Sequence, residues 1–214
     1  MIETVTDAEL RRHELFANLN LNLSPSGQNG SSARFDPRRL TAVGSYSLIH
    51  ARRNAEGPFD VPPSGRLDTE WGPGPADMPY RFNLSVNSTQ VRNLAVNLSL
   101  TASDGTPYTL ATGRDDNQDG IINDRPPGIG LRSLRTPPQW YGNTRIAYTL
   151  TPGSGPGAPA ATVRYKLVLF VNVTNLTNRT TLTGFSGVRT SPFFLRPTSA
   201  LNPRKFDVGT TVSF

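Results

Sequence analysis

The chain has 214 residues, with 22 Lys or Arg against 16 Asp or Glu and a net charge of +6. Only 36% of it is apolar and the mean hydropathy is −0.39, so no run approaches the roughly 20 apolar residues of a transmembrane helix. The absence of cysteine excludes disulfides, thiolate catalysis and Cys-ligated zinc. Two histidines make a His-rich metal centre unexpected. The basic residues are mostly Arg and are scattered, which is not the clustered footprint of a nucleic-acid binder. Residues 1–10 are acidic and lack an apolar stretch, so they do not read as a secretory signal.

Taken in chain order, residues 1–11 read as a polar segment, and 3–14 as one short polar helical turn. From there onward the periodicity is 2, the signature of half-buried strands. Leu15, Ala17, Leu19, Leu21 and Leu23 share a face opposite Asn18, Asn20 and Asn22. Leu40, Ala42, Gly44, Tyr46 and Leu48 oppose Thr41, Ser45 and Ser47. A third stretch sets Tyr80, Phe82, Leu84 and Val86 against Arg81, Asn83, Ser85 and Asn87. In the fourth, Leu94, Val96, Leu98 and Leu100 alternate with Ala95, Asn97, Ser99 and Thr101. The fifth carries Ile146, Tyr148 and Leu150 against Arg145, Ala147 and Thr149. The sixth has Tyr165, Leu167, Leu169, Val171 and Val173 on one face and a mixed set on the other. The last pairs Phe206, Val208, Thr210, Val212 and Phe214 against Lys205, Asp207, Gly209, Thr211 and Ser213.

Two environments produce such strands. In a soluble sandwich the apolar face is the core. In a membrane barrel it meets lipid, and the polar face lines the lumen. The polar faces here are mostly Asn, Ser and Thr, which suit a crowded lumen where side chains satisfy one another. The stretches run to about 9–13 residues, near the 9–11 of a tilted membrane strand and longer than the usual 5–6. The connections alternate: 24–38 moderate, 52–79 long, 88–91 tight, 113–138 long, 151–161 short to moderate, and 177–203 long. That is the outer-membrane plan of short periplasmic turns and long external loops. Tyr46, Tyr80, Phe82, Tyr108, Trp140, Tyr165 and Phe206 suit interfacial girdles. The expected fold is all-β: an antiparallel up-and-down transmembrane barrel segment of about seven strands, an incomplete barrel with long external loops, spanning 12–214. The alternative is a secreted or surface β-sandwich binding module, calcium-stabilised if the Asp-rich loop binds an ion.

Three segments carry a family resemblance. One is ADMPYRFNLSVNST (76–89). Another is GTPYTLATGRDDNQDGIINDRPPGIG (105–130). The third is the C-terminal run from Tyr165, with its Asn-Leu-Thr-Asn strand end, Thr-Ser-Pro-Phe-Phe loop and Ala-Leu-Asn-Pro-Arg lead into the final strand. From about residue 36 onward the chain resembles the C-terminal part of Oar-like TonB-dependent outer-membrane transporters. The resemblance implies a barrel of about 22 strands around an N-terminal plug, with a TonB box near the mature N-terminus. It also implies location in the cell outer membrane, contact with its lipid, and uptake of an unidentified ligand. The terminal Phe214 is what barrel-assembly machinery is expected to read. The chain shows neither plug nor TonB box, so the expectation is a fragment that does not transport alone and reaches TonB only through the missing N-terminal part.

One constellation carries chemistry. Asp115, Asn117 and Asp119 stand at positions 1, 3 and 5 of a calcium-loop pattern, with Gly120 at 6 and the carbonyl of Ile121 at 7. Position 12 is Pro126 where a bidentate Glu belongs, so Asp124 or Asn123 would have to substitute. The other reading is a polar loop rich in turn formers. His13 and His50 show no catalytic partner, and no Gly-x-Ser-x-Gly elbow exists, so no enzyme is expected and no other cofactor is implied. The Asn83 and Asn172 triplets match glycosylation acceptors but lie within strands. Arg132, Arg135 and Arg145 read as solvated loop charge; the alternatives are lining for a ligand path or binding of lipid phosphates. The segment 153–157 reads as a flexible turn, and 57–79 as an irregular external loop.

Overall fold

The computed structural model describes residues 7–23, 34–57, 61–151 and 165–214; the first six residues and the turn at 153–157 lie outside them. The strands are β1 (Leu10–Asn22), β2 (Leu40–Arg53), β3 (Gly72–Pro73), β4 (Met78–Ser88), β5 (Leu94–Ser103), β6 (Pro107–Tyr108), β7 (Leu134–Arg135), β8 (Gln139–Leu150), β9 (Lys166–Thr174), β10 (Leu182–Phe185), β11 (Pro197–Ala200) and β12 (Lys205–Ser213). The only helical piece among the described residues is a 3-10 turn at Leu67–Thr69.

All seven alternating stretches are long strands, from 9 to 14 residues. They form one antiparallel meander in the order β1-β2-β4-β5-β8-β9-β12, with β3 pairing β2 off that path. The expected count of about seven therefore holds for the long strands only, because five short strands form within the long connections. β1 and β12 end the path, each with one main-sheet neighbour among the described residues. No pairing among the described residues closes the sheet into a barrel.

The first strand begins at Leu10, five residues before the alternation that announces it. Arg11 to Glu14 carry no apolar pattern, yet β2 runs on to Arg53 and offers each of them a backbone partner. Inter-strand hydrogen bonds outweigh weak local preference here, and the expected helical turn does not form over 10–14.

Direct cross-strand partners share a face, so the pairings carry the apolar side from strand to strand. One row runs Leu19–Gly44–Leu84–Leu100–Gly142. Another runs Val96–Ile146–Val171–Val208. The glycines leave room for leucines: a Cβ on Gly142 would stand 2.7 Å from Leu100 Cδ2. The opposite face is bridged by polar side chains. Asn83 Nδ2 donates to Ser45 Oγ at 3.3 Å, and Thr101 Oγ1 donates to Asn83 Oδ1 at 3.3 Å. Farther along, Arg145 donates to Asn172 Oδ1 at 3.1 Å and lies 4.0 Å over the Phe170 ring. Gly209 makes space for that ring, since a Cβ there would meet it at 2.5 Å.

This sheet has no conventional core. The substantial contacts of the long strands are with their hydrogen-bonded neighbours, and no large side chain among the described residues is fully buried. Val208 is 78% exposed, Leu15 63% and Phe206 60%. A soluble monomer rarely leaves so continuous an apolar surface open. In water the chain should therefore aggregate and bind an apolar-surface dye. In detergent it should be monodisperse with a β-type circular dichroism spectrum. A monodisperse, dye-silent protein in plain buffer would contradict this packing.

Candidate functional site

The connections sort by length onto the two ends of the sheet. The links β2–β4, β5–β8 and β9–β12 are long and leave from one end. Those at 89–93 and 23–39 leave from the other, where positive φ at Asn93 (65°) closes the tight turn. The three long links fold together into one cap, with the β5–β8 link in the middle.

Close backbone approach at glycine makes this docking possible. A Cβ on Gly72 would lie 2.0 Å from the Leu131 carbonyl oxygen, and one on Gly187 would lie 1.9 Å from that of Thr109. The second contact brings the β9–β12 link against the middle one. There Ala111 N–H donates to Gly187 O at 3.0 Å and Arg189 N–H to Ala111 O at 2.9 Å. Tyr108 stacks on Phe185 with ring centroids 6.2 Å apart, and burial pushes the Tyr108 phenol above its ordinary range.

Charge joins the middle link to the β2–β4 link. Glu70 and Arg125 form an ion pair with side chains 5% and 9% exposed. The other Glu70 oxygen accepts from Ser64 Oγ at 2.6 Å. Asp77, 4% exposed, pairs with Arg135 and accepts from Ala51 N–H at 2.9 Å. Arg135 also donates to Gly105 O at 2.7 Å, and Arg132 pairs with Glu56. Arg132 and Arg135 thus hold the cap together and are not solvated loop charge. Arg145 lies apart from them, on the polar face of the sheet. Asn175 plays the same part with neutral groups: its Nδ2 donates to Arg179 O at 2.9 Å and to Asn202 O at 3.1 Å. At the cap's flank is an open cleft of about 260 Å³, lined by Leu10, Ala51, Ala55, Pro75 and Ala76 with Arg12 and Arg53.

The Asp-rich loop belongs to this cap. Asp124 is buried, and its Oδ2 accepts from Asp116 N–H at 2.6 Å and Asn117 N–H at 3.1 Å. Asp115 accepts from Asp119 N–H at 3.1 Å and Gly120 N–H at 2.9 Å. Asp119 Oδ1 accepts from Ile121 N–H at 2.8 Å. Asn117 accepts from Asp119 N–H at 3.0 Å and donates both to Asp119 Oδ2 at 2.9 Å and outward to Pro63 O at 3.1 Å, and Asn123 donates to Val61 O at 2.7 Å. Gly120 takes the positive φ of 87° that the turn requires. The loop is thus folded by its own hydrogen bonds. No three His, Asp or Glu side chains among the described residues converge as metal ligands would.

His50 Nδ1 lies 3.3 Å from Asp77 Oδ1 with the ring 68% exposed, and His13 is its cross-strand partner. The residues that sequence reasoning missed are Glu70, Asp77 and Arg125, because each finds its partner in another link, across the intervening strands β4 and β5. The available signal was the uneven charge of the two links, an acidic excess between β2 and β4 facing the four arginines between β5 and β8.

No protein-family model, curated protein or solved structure matches the chain.

Removing one member of a buried ion pair strands the other, at about 3–5 kcal/mol. Glu70→Ala and Gly72→Val should therefore open the cap to limited proteolysis between residues 54 and 138 while leaving the β-sheet signal intact. Cleavage unchanged from the parent would show that these contacts do not hold the links together.

Proposed function

We propose that the chain is part of the wall and outer loop cap of an outer-membrane β-barrel, a C-terminal portion of a ligand-uptake transporter of the TonB-dependent kind. The observation that carries this reading is the apolar face, continuous over seven strands and covered by nothing among the described residues, with every long link at one end. Lipid is the environment that such a face requires. Backbone groups in lipid must all be paired, each orphan costing several kcal/mol, so on this reading the outer edges of β1 and β12 take further strands. The wall breaks no bond. Its Asn, Ser and Thr rows face the lumen, and the cap supplies the outward surface that first meets a ligand, since recognition concentrates in loops on a rigid scaffold.

A sandwich needs a second sheet over the same apolar face. The two other sheets among the described residues are two-stranded pairs, β6-β7 and β10-β11, and both lie within the long links.

The test uses neighbouring residues on opposite faces. Leu98 is in the apolar row and Ser99 in the polar one. In lipid vesicles, Leu98→Arg should destabilise the chain to urea by about 2–4 kcal/mol, the cost of a midplane cation on the lipid face. Ser99→Arg should cost at most about 1 kcal/mol, as an exposed polar-site change does. Equal costs at the two positions would defeat the reading.

A further inference from the structure

The apolar face does not end the same way at its two rims. At the long-link end three arginines lie over aromatic rings on that face. Arg179 stands 4.9 Å from the centroid of Trp140, and Arg204 5.8 Å from that of Phe206. Trp140 pairs with Ala102 and Phe206 with Val173, both in the apolar rows. Arg11 lies 4.6 Å over Trp71. It sits in β1 four residues before Leu15, hence on the same face, with Arg52 directly opposite and the pair His13–His50 just below. The fourth such contact, Arg145 over Phe170, is on the polar face. The short-link end has none among the described residues.

We propose that this rim binds the phosphate groups of anionic membrane lipids. The inference rests on the membrane-wall reading and names a partner for that wall. Aromatic rings partition to the membrane interface, and long basic side chains lay their stems on apolar surface while the charged head reaches outward. A guanidinium stacked on a ring keeps its edge donors, which match two phosphate oxygens at once. No carboxylate among the described residues pairs with Arg52, Arg179 or Arg204. Arg11 reaches Glu9 at 3.1 Å, with side chains 70% and 57% exposed. An ion pair so exposed is weak and yields readily to a phosphate.

The chain carries two tryptophans, and both lie under rim arginines, so tryptophan emission reports on this site directly. The full chain, kept soluble in urea, is diluted into rising concentrations of vesicles of phosphatidylcholine alone and of phosphatidylcholine containing lipid A. Binding to the phosphorylated vesicles should be at least about tenfold tighter, at roughly 1 kcal/mol per basic residue near the surface, with a blue shift in emission. The triple variant Arg11→Ala/Arg179→Ala/Arg204→Ala should lose that preference. A control triple at the opposite end, Arg34→Ala/Arg38→Ala/Arg92→Ala, should keep it. Circular dichroism of each variant in detergent checks that the sheet is intact, and single Arg→Ala variants stand in for any triple that fails. Binding to both vesicle types with no preference, or a preference equally sensitive to both triples, would overturn the inference and leave the wall reading standing. Binding to neither vesicle would overturn both.

Discussion

Parity of register is the constraint on which the rest of this molecule depends. Side chains alternate with a period of 2, so a slip of one residue between any two strands would throw the next strand's leucines onto the polar face. The meander keeps its phase through six successive pairings. The one irregularity among the described pairings, between Ser47 and Ile49 of β2 against β4, sits toward the long-link end, at the level of Leu48 and its partner Leu15. Below it, the row from Leu19 to Gly142 and the row from Val96 to Val208 remain in step. One continuous face is the result, and with it both the demand for an apolar environment and the polar ladder of Ser45, Asn83 and Thr101 on the other side.

Cohesion outside the sheet comes from the cap, which has little apolar mass to work with. Leu131 and Ala55 are its buried hydrophobes. The links are instead joined by charge pairs distant in sequence and by backbones pressed together at Gly72 and Gly187. The two ends of the sheet thus differ in kind: folded links over a basic, aromatic rim at one end, and the shorter connections, among them the tight turn at 89–93, at the other. On the proposed reading this polarity is that of a membrane with an outside and an inside.

How much of this was legible beforehand follows from what is local. The long strands could be read because alternation is a property of adjacent residues, and strands of 9 or more residues repeat it often enough to be unmistakable. The start of β1 could not, because Arg11, Arg12, His13 and Glu14 take their conformation from β2 and not from their own pattern. Asp77 with Arg135 and Glu56 with Arg132 were equally invisible, since their partners are 58 and 76 residues away and no periodicity links them. The Asp-rich loop stands between these cases. Its spacing points to a turn at Gly120, which takes the positive φ, while the amide partners of its carboxylates become visible only in the folded loop.

The central claim is that the apolar rows face lipid. The absence of native cysteine allows it to be tested with single introduced cysteines carrying an environment-sensitive fluorophore, placed one at a time from residue 96 to 101 and from 167 to 172 of the full chain in vesicles containing a lipid-borne quencher. The account predicts strict alternation, with strong quenching at 96, 98, 100, 167, 169 and 171 and little at 97, 99, 101, 168, 170 and 172. Uniform quenching, or protection of Leu98 and Leu169 from both lipid and water, would contradict it.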